Sequence, residues 1–135
     1  MSLINRDTDY AIRALCFMAK NKKKFISAKE LVRDLKIPRP FLRKILQTLN
    51  KRRVLRSYKG KSGGFVLVQP PKKIFVMDLV RIFQGGVKLR ECIFKKKPCP
   101  NIRTCLLSRK LKEIEGKVIS QLEVISIASL AGEIK

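Results

Sequence analysis

Residues 27–69 read SAKELVRDLKIPRPFLRKILQTLNKRRVLRSYKGKSGGFVLVQ: two helical periods, then a strand period that doubles back. Ser27 with Glu30 three residues on makes a capping box, in which side-chain oxygens satisfy backbone N–H groups that a first helical turn leaves free. Leu31, Val32 and Leu35 then form an apolar face. This helix should stop at Ile37, because a residue before proline avoids the α region. Pro40 suits the first turn of a second helix, where its missing N–H costs nothing. There Phe41, Leu42, Ile45, Leu46 and Leu49 fall on the inner side and leave Arg39, Arg43, Lys44 and Gln47 outside.

Beyond the second helix, VLRSY and GFVLVQ are rich in β-branched and aromatic residues. They flank KGKSGG, whose glycines allow the positive φ of a hairpin tip. Two short helices around a tight turn, followed by a basic hairpin, predict a winged helix-turn-helix: mainly α, with a small β-hairpin wing. The second helix would enter a major groove with Arg39, Arg43 and Lys44 toward the bases. Lys59 and Lys61 at the wing tip would reach phosphates or the neighbouring minor groove. An ordinary helical hairpin with a solvated basic face is the alternative.

Charge points the same way. Of 135 residues, 32 are Lys or Arg and 10 are Asp or Glu, a formal charge of +22 that calls for a polyanionic partner. Double-stranded DNA comes first and an anionic membrane surface second. No stretch approaches the roughly 20 apolar residues of a membrane span. The start, MSLINRDTDYAIRAL, carries acids and polar residues unlike a signal peptide, so the chain is expected in the cytoplasm.

Upstream, DTDYAIRALCFMAKN sets Tyr10, Ala14, Phe17 and Met18 on one helical stripe, with Thr8 or Asp7 as cap and Cys16 as a small core residue. Downstream, Pro70 and Pro71 end the hairpin, and Met77 to Phe83 is a short apolar helix stopped by Gly85 and Gly86. From Cys105 onward a long helix repeats apolar residues at Leu107, Leu111, Ile114, Val118, Leu122 and Ile125. That seam can pair with a second copy of itself, weakened somewhat by Gly116. A last short helical turn follows in SIASLAGEIK. The expected organisation is a DNA-binding unit over 1–84, a cysteine loop over 85–105, and a dimerisation helix with its terminal turn over 106–135.

The loop ECIFKKKPCPNIRTC, Glu91 to Cys105, holds three of the four cysteines in a chain without histidine. Cys92, Cys99 and Cys105 lack the close cysteine pair usual in structural zinc sites. Wider spacing suits a larger object, an iron–sulfur cluster held by thiolates. Lys95, Lys96 and Lys97 would lower the thiol pKa values and offset the cluster's charge, while Pro98 and Pro100 stiffen the loop. Zinc, a thiol redox switch and unused cysteines are the competing readings. Three thiolates leave one position open, for which Ser108, Glu91 and Asp9 are oxygen candidates of equal standing. An enzyme with a reactive thiol would lack any histidine partner, so catalysis is not expected.

At this point the chain resembles the IscR/NsrR-type, or Rrf-two, family of dimeric winged-helix bacterial repressors and activators, many with iron–sulfur clusters. TDYAIRAL, IPRPFLRKILQTLNKRRVLRSYKGKSGGFVL and the C-x6-C-x5-C loop stand in the family's order across nearly the whole chain. The resemblance implies that Cys92, Cys99 and Cys105 hold a cluster, 4Fe–4S or 2Fe–2S. Ser108 stands where the IscR branch has histidine. The NsrR branch takes its fourth ligand from an acid near the N-terminus of the partner subunit, and Asp9 matches it; Ser108 is the alternative. It further implies a homodimer on a palindromic operator, with recognition helices about one DNA turn apart. Arg43 stands where the IscR-like pattern has an acid, so base preference should differ.

Overall fold

The computed structural model describes residues 3–21, 25–60, 63–87 and 106–132. Three helices come first: α1 over Arg6–Lys20, α2 over Ala28–Leu35 and α3 over Arg39–Lys51. Strands β1, Leu55–Tyr58, and β2, Gly64–Leu67, follow as an antiparallel hairpin with Leu55 opposite Leu67 and Tyr58 opposite Gly64. A 3-10 turn at Pro71–Lys73 leads to α4, Val76–Gln84; then come α5, Leu106–Leu122, and α6, Ile127–Leu130. This is the mainly helical winged helix-turn-helix with a long C-terminal helix that the patterning called for.

Local chemistry departs from expectation at three places. Asn5, rather than Thr8 or Asp7, caps α1, its side chain accepting the Thr8 N–H at 2.8 Å. Thr8 is fully buried and its hydroxyl is committed to Gln84 Oε1 at 2.8 Å. Asp7 stays in the first turn, where a carboxylate complements the helix dipole. Second, α2 ends at Leu35, because Lys36 adopts the left-handed conformation (φ 57°) before the proline is reached. Its Ser27 cap is as expected, accepting the Glu30 N–H at 3.2 Å. Third, Phe41 faces out, not in. Leu42, Ile45, Leu46 and Leu49 already complete the buried stripe of α3, and Phe41 lies one residue off it. The Arg6 guanidinium sits over the exposed Phe41 ring, 4.1 Å from its centroid.

The core forms around α1, whose Ala11, Ala14 and Leu15 are wholly buried with Leu31, Leu42, Leu46, Leu49 and Ile127. The small alanines let neighbouring helices approach closely. The wing is rooted in this core by a pairing that the sequence did not announce. Ile26 bridges Phe65, with N–H···O distances of 3.1 and 2.8 Å in the two directions. A Cβ at Gly64 would fall 2.6 Å from the Ile26 carbonyl oxygen, so only glycine admits that approach.

A second apolar cluster joins Val76, Met77 and Val80 of α4 to Val118, Ile119, Leu122 and Ile125. The seam expected along α5 therefore divides. Its C-terminal half lies against α4 of the same chain, while Leu107 and Ile114 face solvent, 60% and 48% exposed. Backbone bonds from Val76 N to Ile125 O (2.9 Å) and from Ile127 N to Ile74 O (2.8 Å) fasten the end of α5 and the start of α6 to the segment that enters α4. Through Ile127 and Ala128, α6 is part of the central core.

Candidate nucleic-acid interface

Arg39, Arg43 and Gln47 recur every four residues along α3, and α-helical geometry sets them on one stripe. This stripe forms one wall of an open cavity of about 430 Å³. The N-terminal residues of α2, Ser27 to Lys29, and Phe65 of the wing form the rest of its rim. The helix-turn-helix and the wing thus converge on the surface that carries the predicted base readers. Lys44, also exposed, lies a further residue around the helix. Lys59 is exposed at the end of β1, and Lys61 lies outside the described residues.

Availability distinguishes these cations from others. Arg13 is held by Asp9 at 3.0 Å and Arg33 by Asp34 at 3.1 Å, and the hydrogen bond that Arg33 donates to Asp34 raises its guanidinium above the ordinary pKa. Arg39, Arg43, Lys44 and Lys59 have no carboxylate partner among the described residues. They are left to meet an external anion. Arg6, at the start of α1, has unlike them a carboxylate neighbour, Asp7 at 3.8 Å, and it stacks on Phe41 at the start of α3. Neither periodicity nor spacing could have revealed that pairing, since 35 positions separate the two residues.

Cys92, Cys99 and Cys105 lie outside the described residues, and among the described residues no group of acids and cysteines could hold a metal ion. Of the candidate oxygen ligands, Glu91 also lies outside the described residues, and Asp9 stands in the first turn of α1 with its side chain 43% exposed and, among the described residues, paired to Arg13. Ser108 stands half-buried in the first turn of α5. Cys16 packs half-buried against the core; burial raises its thiol pKa, and Lys20 pulls it partly back. A thiol held neutral in this way behaves as a small apolar side chain.

Gln84 is the residue that sequence reasoning missed. At the end of α4 its amide donates to the Leu3 carbonyl (2.9 Å), and its Oε1 accepts from Asn5 N (3.0 Å) and the Thr8 hydroxyl (2.8 Å). One side chain thereby clamps the first turn of α1, which carries Asp9, to the end of α4, from which the chain runs into the cysteine loop.

The residues 4–133 match the Rrf2 family, described as an iron-dependent transcriptional regulator. A helix-turn-helix transcriptional regulator of Aquifex aeolicus is 33% identical over 81% of this chain and 77% of its own length. The regulator NsrR of Bacillus licheniformis is 28% identical over 84% of this chain and 78% of its own. Among solved structures, CymR, the global cysteine regulator of B. subtilis, superposes with a TM-score of 0.79 at 21% identity, covering 100% of both chains. The unpaired cations of α3 and the wing thus stand on a fold shared with known regulators, and the chain belongs to the Rrf2 family as a DNA-binding winged-helix transcription regulator rather than an enzyme.

Proposed function

We propose that this regulator works in the cytoplasm as a homodimer on a palindromic operator, with its DNA affinity governed by an iron–sulfur cluster. The observation that carries the reading is the run of three widely spaced cysteines, Cys92, Cys99 and Cys105, between the end of α4 and the start of α5 in a chain without histidine. The iron-dependent family and the likeness to NsrR support it. Cys92, Cys99 and Cys105 would supply three thiolates, and Asp9 of the partner subunit the fourth ligand, with Ser108 as the alternative. The donor set fits: the Asp9 carboxylate is partly exposed, and an exposed i,i+4 pair such as that with Arg13 is worth only about 0.3–0.5 kcal/mol, so little opposes its release. When bound, a 4Fe–4S or 2Fe–2S cluster supplies a group sensitive to oxidants, nitric oxide or iron supply.

The chain's own contacts offer the route to DNA. Gln84 ties the loop's entry to the first turn of α1, and Arg6 of that turn rests on Phe41 at the head of α3. Displacing the loop would shift α1 and with it the recognition helix. A coupling of this kind typically amounts to about 1–3 kcal/mol, or roughly 5–150-fold in affinity. Arg43 would read guanine bidentately, whereas Lys59 and Lys61 would neutralise phosphates.

Protein purified without oxygen is expected to contain iron and acid-labile sulfide and to give a cluster signature by Mössbauer spectroscopy. Asp9→Ala should lower cluster retention while leaving thermal unfolding unchanged. A colourless protein carrying stoichiometric zinc, with DNA affinity indifferent to iron, would replace this reading with a structural zinc or thiol-redox site.

A further inference from the structure

A second cavity, of about 230 Å³, opens at the far end of the recognition helix. Arg52, Arg53, Gln69, Lys73, Asp78 and Ile82 are among its lining residues. Four parts of the fold meet there: the end of α3, the base of the wing, the 3-10 turn and α4. The cations are uncommitted, since no carboxylate among the described residues pairs with Arg52, Arg53 or Lys73. Asp78, the carboxylate of the lining, pairs with none of them. One of its oxygens accepts the Phe75 N–H at 3.0 Å, and the other faces Arg81 at 3.8 Å.

Arg53 stands just past the end of α3 in the left-handed region (φ 62°), where Val54 N–H donates to the Leu49 carbonyl (2.9 Å) and Arg53 N–H to the Asn50 carbonyl (3.1 Å) and so close the helix. Two guanidiniums and an ammonium around one concave site match the oxygens of a tetrahedral dianion, and arginine can bind them bidentately. A bland role exists for part of the cluster, because cations near the end of α3 complement its dipole. Lys73, from another element, has no such role.

We infer that this cavity binds a phosphate group, separately from the base-reading face and independently of any cluster. The phosphate comes either from a small phosphorylated compound or from the backbone of DNA flanking the operator. Occupancy would fasten the wing base to α4.

The test uses the full chain and Arg53→Asn, which keeps the left-handed backbone and removes the charge, with Lys73→Gln as a second variant. Inorganic phosphate is titrated by ³¹P NMR and calorimetry. Saturable binding weakened about tenfold or more in both variants, as for a lost charge-assisted hydrogen bond, assigns the site to a free phosphate compound. Without such binding, a fall in long-duplex affinity in both variants, with the salt slope reduced by about 0.9 for each, assigns it to DNA. If neither variant changes phosphate binding or duplex affinity, or if they merely lower the melting temperature, the cations serve the helix end alone and the inference fails.

Discussion

A methyl group at position 64 would press against the Ile26 carbonyl, whose oxygen accepts the Phe65 N–H. Gly64→Ala must therefore push the wing from the core or break the Ile26–Phe65 bridge. It should cost about 2–3 kcal/mol, as for other clashes at buried backbone, seen as a lower urea midpoint at unchanged slope. An unchanged midpoint would mean that the bridge contributes nothing to holding the wing. Phe41 teaches a related lesson at this scale. Its apolar character suggested the core, yet the core needed only the stripe beside it, and the ring became a platform for Arg6.

At the scale of elements, α5 is the most informative. None of its residues is fully buried, although it runs for 17 residues and carries a regular apolar seam. Its second half finds α4, while Leu106, Leu107 and Ile114 remain exposed. An apolar strip of this length on a charged helix fits a second copy of the chain. With the proposed dimer joined through this strip, Leu107→Glu combined with Ile114→Glu should give a monomer in light scattering while leaving helical content unchanged, because neither residue touches the core. DNA affinity should fall with it, since one half-site replaces two. A double variant that stays dimeric would place the subunit contact elsewhere.

For the whole molecule the deciding quantity is charge. A net +22 spread over 135 residues makes counterion release a large part of DNA binding. Affinity should fall steeply with salt. Lys59→Ala should weaken binding to all sequences alike and reduce the salt slope by about 0.9. Arg43→Ala should instead cost about 1–3 kcal/mol of discrimination at one base pair. Equal losses on specific and random duplexes after Arg43→Ala would remove it from the base readers.

Much of this protein was legible before folding was considered. Periodicity, the Ser27 cap, the prolines and the glycine-flanked strands are local signals, and they sufficed for the winged helix-turn-helix and for its outward cations Arg39, Arg43, Lys44 and Lys59. The C-x6-C-x5-C spacing is equally local, and it is the signal from which Cys92, Cys99 and Cys105, which lie outside the described residues, are proposed as cluster ligands. Contacts between residues far apart in the chain leave no such mark. The Gln84 clamp on α1, the Arg6–Phe41 stack, the Ile26–Phe65 bridge and the division of the α5 seam all depend on which faces meet after collapse. Those meetings are selected by packing among all elements together, and no window of sequence contains that information.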